Sequence, residues 1–193
     1  MQEERSVDHL LRSLIIYWSG TGNTEKVAKT IHHTLKRQKV VSTIMKVGEA
    51  KEVELYEHDL VFLGAPSYGW LPPDQVLHFI KDKMKYHEER GDVKLCAPKI
   101  PGKRAAVFCT YSGPHTGLRE AIPACKYMGQ FFEHLGFDLV SEWYVVGEFH
   151  GNVDYSTKGQ LGDIRGRPNM QDLAKVEHNV YQLIHSIGAE NHL

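Results

Sequence analysis

Six residues near the start of the chain, Ser19-Gly20-Thr21-Gly22-Asn23-Thr24, combine three hydroxyls, one amide and two glycines. The hydroxyls of Ser19, Thr21 and Thr24 and the amide of Asn23 are hydrogen-bond donors. Gly20 and Gly22 allow backbone angles and close approaches that a side chain blocks. Neither lysine nor arginine interrupts the run, so an anion bound here is held by dipoles alone. The apolar Leu14-Ile15-Ile16-Tyr17-Trp18 precedes it, and Glu25-Lys26-Val27 opens helix-patterned sequence after it. A buried strand, a tight turn and a helix N-terminus present unpaired N–H groups and the positive end of a helix dipole. Phosphate binding is the chemistry this arrangement suits.

Three phosphate loops compete for the stretch. A nucleoside-triphosphate loop ends in Gly-Lys-Ser/Thr, whereas this one continues Asn23-Thr24-Glu25-Lys26. A dinucleotide fingerprint needs a third glycine where Glu25 stands. What remains is Ser/Thr-x-Thr-Gly-x-Thr, which resembles the FMN-phosphate loop of flavodoxins and their relatives. An ordinary capped strand-to-helix turn is the plain alternative.

The elements that would position this loop follow from periodicity. Strands are expected near Leu14–Trp18, Val40–Val47, Leu60–Leu63, Ala105–Cys109 and Leu139–Val146. Between them lie helices with apolar faces at Val27, Ala28, Ile31 and Leu35; at Val76, Leu77, Ile80 and Met84 after Pro72 and Pro73; and at Ile122, Cys125, Met128, Phe132 and Leu135. A last helix, N-capped by Asn169, presents Leu173, Val176, Val180, Leu183, Ile184 and Ile187. Lys85–Gly102 reads as a long polar connection and Gly147–Arg167 as a loop insertion without a period. The alternation predicts an α/β fold: a doubly wound, five-stranded parallel sheet with helices on both faces. Residues 1–12 form a polar extension, and residues 13–193 one domain with an insertion at about 147–168. Ligands in such sheets bind beyond the carboxyl ends of the strands. The loops Ser19–Thr24, Gly64–Trp70, Thr110–His115 and Gly147–Arg167 should therefore meet around one site.

Two of these loops extend the resemblance. Gly64-Ala65-Pro66-Ser67-Tyr68-Gly69 resembles the flavodoxin flavin loop, Gly-x-x-Thr/Ser-Trp/Tyr-Gly. The resemblance implies that Tyr68 or Trp70 stacks on an isoalloxazine face. It also implies that Gly69 lets a peptide turn its carbonyl toward flavin N5 once that atom is protonated, shifting the potential. Thr110-Tyr111-Ser112-Gly113 stands where the family closes over the other ring face. Tyr111 is the stacking candidate there, with backbone N–H groups available to the pyrimidine oxygens. His115 has two uses, donation to the flavin or protonation of a substrate such as a quinone, and a plain one as a loop cap. Arg165 and Arg167 on the insertion either recognise an anionic partner or form surface ion pairs. Where flavodoxins often carry an acidic residue after the second-loop glycine, this chain has Trp70. That loss removes a charge opposing the anionic reduced flavin and raises the second potential. An exposed Trp70 also suits an oligomer contact, so a homodimer is a further expectation.

Composition excludes several classes. Over 193 residues the net charge is −1, which argues against nucleic-acid and anionic-membrane binding. Cys96, Cys109 and Cys125 form no CxxC pair, so neither zinc nor an iron–sulfur cluster is signalled, and buried thiols are expected. The adjacent His32 and His33 do not share a helix face as metal ligands do. Met1–Arg12 is too polar for a signal peptide and the apolar stretch after it too short for a span, giving a cytoplasmic expectation.

The functional expectation is electron transfer through noncovalently bound FMN, with a redox protein as partner. The alternative is an NAD(P)H-dependent quinone or FMN reductase acting on a small acceptor, toward which the near-neutral charge, Trp70 and the insertion lean. A scaffold without cofactor is a third class, opposed by the intact loops.

Overall fold

The computed structural model describes residues 11–190. Five strands form one parallel sheet: β1 (Arg12–Tyr17), β2 (Val41–Lys46), β3 (Leu60–Pro66), β4 (Arg104–Tyr111) and β5 (Asp138–Val146), in the order β2-β1-β3-β4-β5. Helices α1 (Asn23–Arg37), α2 (Asp74–Glu89), α3 (Ile122–His134) and α5 (Met170–Glu190) connect and cover it, and a short α4 (Val153–Thr157) lies in the insertion. The doubly wound sheet expected from the alternation is the one that forms. Of the expected N-terminal extension, residues 1–10 lie outside the described residues, and Arg12 belongs to β1.

Successive side chains along each strand enter opposite cores. Leu14, Ile16, Val61, Leu63, Ala105 and Val107 pack with α2 and α3. Ile15, Tyr17, Phe62, Ala106 and Phe108 pack with α1 and α5. Both faces are covered, which is why the central strands read as continuous apolar runs. In α1, Val27, Ile31 and Leu35 are fully buried, each contributing about 2 kcal/mol.

Three expectations need correction. First, α2 runs to Glu89, into what reads as a polar connection. Its buried stripe is Val76, Phe79, Ile80, Lys83 and His87, whereas Leu77 and Met84 are only partly buried. Two polar residues continue the stripe and mask its period. Lys83 Nζ donates to the Val53 carbonyl at 2.6 Å, and His87 Nδ1 pairs with Asp92 Oδ2 at 2.9 Å. Secondly, Cys96 is exposed; Cys109 and Cys125 are buried as expected, and all three are free thiols. Thirdly, the insertion is built rather than irregular. Asn152 caps α4, and buried Ser156 accepts from Phe149 N and donates to its carbonyl. Ile164, also buried, sends its N–H to the Ser156 carbonyl at 2.8 Å. Among the described residues no helix is long and apolar enough to cross a membrane.

The insertion is tied to α5 by one carboxylate. Asn169 Oδ1 accepts from the amides of Gln171 and Asp172, as its capping role requires. Asp172 answers by accepting from Asn169 N at 3.0 Å, and it holds the Arg167 guanidinium in a forked pair. Arg167 is thus bound within the chain, and Arg165 is bound to Asp163, so neither is held ready for an anionic partner. Burial pushes the Asp172 carboxyl up, but the Arg167 guanidinium and the Asn169 amide outweigh it and hold the group below the ordinary range. A depressed carboxylate contributes stability above its unfolded value, and loses it as pH falls through the folded one. Asp172→Asn should therefore cost about 2 kcal/mol at pH 7. In urea unfolding the gap to wild type should close as pH is taken below the carboxylate range. A gap that persists there would assign the loss to packing.

Candidate functional site

The loops after β1, β3, β4 and β5 enclose one cavity of about 660 Å³. Of the residues singled out in the sequence, Ser19, Gly20, Thr21, Asn23 and Thr24 line it from the first loop. Pro66, Ser67, Tyr68, Gly69 and Trp70 line it from the second, and Thr110, Tyr111, Ser112, Gly113 and His115 from the third. Gly22 does not line it; it is the N-cap of α1, in the left-handed region at φ 93°.

The first loop has the features of an anion cradle. No side chain caps α1, and its first backbone bond back is from Lys26 N to Gly22 O at 3.0 Å. The amides of Asn23, Thr24 and Glu25 are thus left without an acceptor among the described residues, at the positive end of the helix dipole. A buried helix end without partners is costly, so this one fits a phosphate group that supplies the acceptors. Among the described residues lining the cavity, none is lysine or arginine.

Several of the expected donors work inside the protein. Asn23 Nδ2 donates to the Glu148 carbonyl at 2.9 Å, closing the fourth loop onto the first. A Cβ on Gly147 would lie 2.8 Å from that same nitrogen, so the approach requires glycine. Ser19 Oγ accepts from Gly22 N at 3.1 Å, and the Thr24 and Thr110 hydroxyls share a hydrogen bond of 2.8 Å. Ser67 donates its hydroxyl to the Glu120 carbonyl. Of the loop hydroxyls, Thr21 stays exposed at the cradle.

The second loop ends in a two-residue hairpin. Tyr68 and Leu71 exchange both backbone bonds, at 2.9 and 3.2 Å, around Gly69 at φ 54° and Trp70 at φ 70°. Left-handed angles at both tip residues match the twist of a tight hairpin. For glycine they cost nothing, but for a tryptophan they are strained. Trp70 is 63% exposed. Tyr68 leans edge-on against Trp18 at 5.7 Å, and Tyr111 is half-buried across the sheet edge. Burial pushes both phenols up, so both stay neutral.

The fourth loop brings residues that the sequence did not single out. Glu148, Phe149, His150 and Tyr155 line the cavity. Phe149 packs on Tyr155 at 5.3 Å, and Tyr155 meets His115 edge-on at 5.4 Å. Both cavity carboxylates are used as scaffold. Glu148 Oε2 accepts from Gly166 N, and Glu120 Oε1 accepts from the amides of His115 and Thr116. The aromatic pair Phe149 and Tyr155 flanking a glycine at a strand end was the one signal available for this wall.

Known proteins share this plan. The family model for flavodoxin matches residues 15–174. A flavodoxin of Clostridium beijerinckii is 36% identical over 98 residues, covering 50% of this chain and 62% of that protein. One of Megasphaera elsdenii is 29% identical over 99 residues, covering 50% of this chain and 63% of that protein. Each match spans less than two thirds of the relative's length. Oxidised flavodoxin 2 of Bacillus cereus superposes with a TM-score of 0.64 at 20% identity, over 91% of this chain and 99% of that one, a likeness of fold. Since the family match runs unbroken from β1 into α5 and takes in all four loops, this chain belongs to the flavodoxin family, whose members work with a flavin.

Proposed function

We propose that the chain binds FMN in this cavity and carries electrons between redox proteins. The observation that carries the reading is the uncapped, cation-free N-terminus of α1 opening into a cavity flanked by Tyr68 and Tyr111. The free amides of Asn23, Thr24 and Glu25 and the Thr21 hydroxyl hold the phosphate, and the phenol rings of Tyr68 and Tyr111 take the ring faces. The amides of Ser112 and Gly113 serve the pyrimidine edge. Pro66, the Phe149 and Tyr155 pair and the Trp18 indole behind Tyr68 exclude water from the ring. When bound, FMN supplies the one- and two-electron chemistry; the chain supplies position and electrostatics.

Reduction by a nicotinamide nucleotide is the less favoured reading. Such a donor brings at least two further negative charges, and among the described residues no lysine or arginine lines the cavity to receive them. A redox protein reaching the ring edge at the mouth needs no such cation. Three unbridged thiols suit the cytoplasm.

The test is an anaerobic titration of FMN-loaded protein, with dithionite and separately with NADH and NADPH. Stepwise bleaching by dithionite alone is expected. Bleaching by either nucleotide would turn the assignment to a reductase, and protein that takes up no FMN would end it. Trp70→Asp restores a carboxylate at the hairpin tip. It should lower the second reduction potential by roughly 30 mV, the Coulomb cost of adding charge near an exposed anion. An unchanged potential would place the tip too far from the ring to matter.

A further inference from the structure

One residue joins the second and third loops from both its main chain and its side chain. The Glu120 carbonyl accepts the Ser67 hydroxyl at 2.5 Å, next to Tyr68. Its carboxylate Oε1 accepts the amides of His115 at 2.8 Å and Thr116 at 2.6 Å, and the Thr116 hydroxyl at 3.5 Å. Two consecutive amides on one carboxylate oxygen fold the loop sharply. Gly117 N then closes it on the Gly113 carbonyl at 3.0 Å, so tightly that a Cβ on Gly113 would lie 2.5 Å from Gly117 O. From the other side, Ser67 N donates to the Thr110 carbonyl at 2.9 Å.

The consequence is a division of labour among the amides. Those of His115, Thr116 and Gly117 are taken up inside the loop. Those of Ser112 and Gly113, which line the cavity, keep no protein acceptor among the described residues. The same clamp fixes the spacing between the loop that carries Tyr68 and the loop that carries Tyr111. An unclamped loop would release two further amides and let that gap vary.

We propose that Glu120 is a positioning residue for the flavin ring, setting the slot between the second and third loops and choosing which amides face it. The inference rests on the FMN reading above. Because the clamp acts at the ring end and not at the phosphate, its loss weakens FMN and riboflavin by the same factor. Because it works through an acceptor oxygen and not through charge, glutamine replaces it.

Dissociation constants for FMN and for riboflavin are measured by flavin fluorescence quenching in wild type, Glu120→Ala and Glu120→Gln, with the melting temperature of each ligand-free protein. Glu120→Ala should weaken both ligands about tenfold and change the visible circular dichroism of the bound flavin. Glu120→Gln should stay within about threefold of wild type. Equal affinities in the alanine variant and wild type would overturn the proposal. So would a loss confined to FMN, or an equal loss in both variants. If Glu120→Ala is unfolded at the assay temperature, Ser67→Ala is read in its place; it cuts only the link to the Glu120 carbonyl. It should weaken both ligands about threefold, and no change would overturn the clamp. Wild type that binds neither flavin would instead sink the FMN reading, and the clamp with it.

Discussion

Thr21→Asp abolishes FMN binding and leaves riboflavin binding intact: that is the expected result of placing a carboxylate in the cradle. Thr21 lines the cavity at the mouth of α1, and among the described residues no lysine or arginine lines that cavity to absorb a second negative charge. Two unit charges about 4 Å apart repel by about 4 kcal/mol at an effective dielectric of about 20, and the phosphate carries more than one. The affinity for FMN should fall by at least about a thousandfold. Riboflavin has no phosphate, so its affinity should move by less than about threefold. Thr21 is exposed and its hydroxyl has no hydrogen-bond partner among the described residues, so the fold should not suffer. Fluorescence quenching with the two ligands decides the matter. FMN still bound within tenfold of wild type would move the phosphate elsewhere, and joint loss of both ligands would mean a collapsed loop.

Gly64→Ala should be the most destabilising single methyl in the sheet. Gly64 lies on β3 between Tyr17 and Phe108, its partners on either side. The Phe108 ring folds across it, so that a Cβ would sit 2.0 Å from one ring carbon and 2.1 and 2.5 Å from two others. Phe108 is fully buried against the α1 and α5 core, so the ring has nowhere to retreat. Overpacking of this kind costs about 3 kcal/mol or more, and the melting temperature should drop by roughly 10 °C. FMN affinity should fall too, because the Gly64 carbonyl accepts Trp18 N at 3.0 Å, one residue before the cradle. Adding Phe108→Leu should recover part of the loss, since the two sites share one space. A melting temperature within 2 °C of wild type would mean the ring moves freely.

Both experiments address features of unequal legibility. The loop between β1 and α1 was readable because it is local. An apolar strand, two glycines and clustered hydroxyls sit within a dozen residues, and strand-to-helix geometry does the rest. The sheet was readable for a similar reason: buried parallel strands announce themselves as apolar runs, and β1, β2, β4 and β5 fall within two residues of their expected bounds, while β3 runs three residues beyond Leu63. The end of α2 was not readable, because Lys83 and His87 continue its buried face with polar atoms satisfied by Val53 and Asp92. Periodicity counts apolar residues and cannot see a hydrogen bond made elsewhere in the chain.

The sequence by itself determined the sheet, the tight loop between β1 and α1 and the family, because each depends on residues close in the chain. Only the tertiary structure decided what individual donors do. Asn23 was correctly marked as an amide donor, but its acceptor is the Glu148 carbonyl, 125 positions away. Ser67, expected at the flavin, serves Glu120, and Glu120 itself carried no signal. Likewise, Phe149 and Tyr155 reach the cavity from an insertion anchored by its own buried Ser156 and Ile164. A hydrogen-bonding group can be listed from its chemistry. Whether it remains free for a ligand depends on every other acceptor that folding brings within 3 Å or so of it.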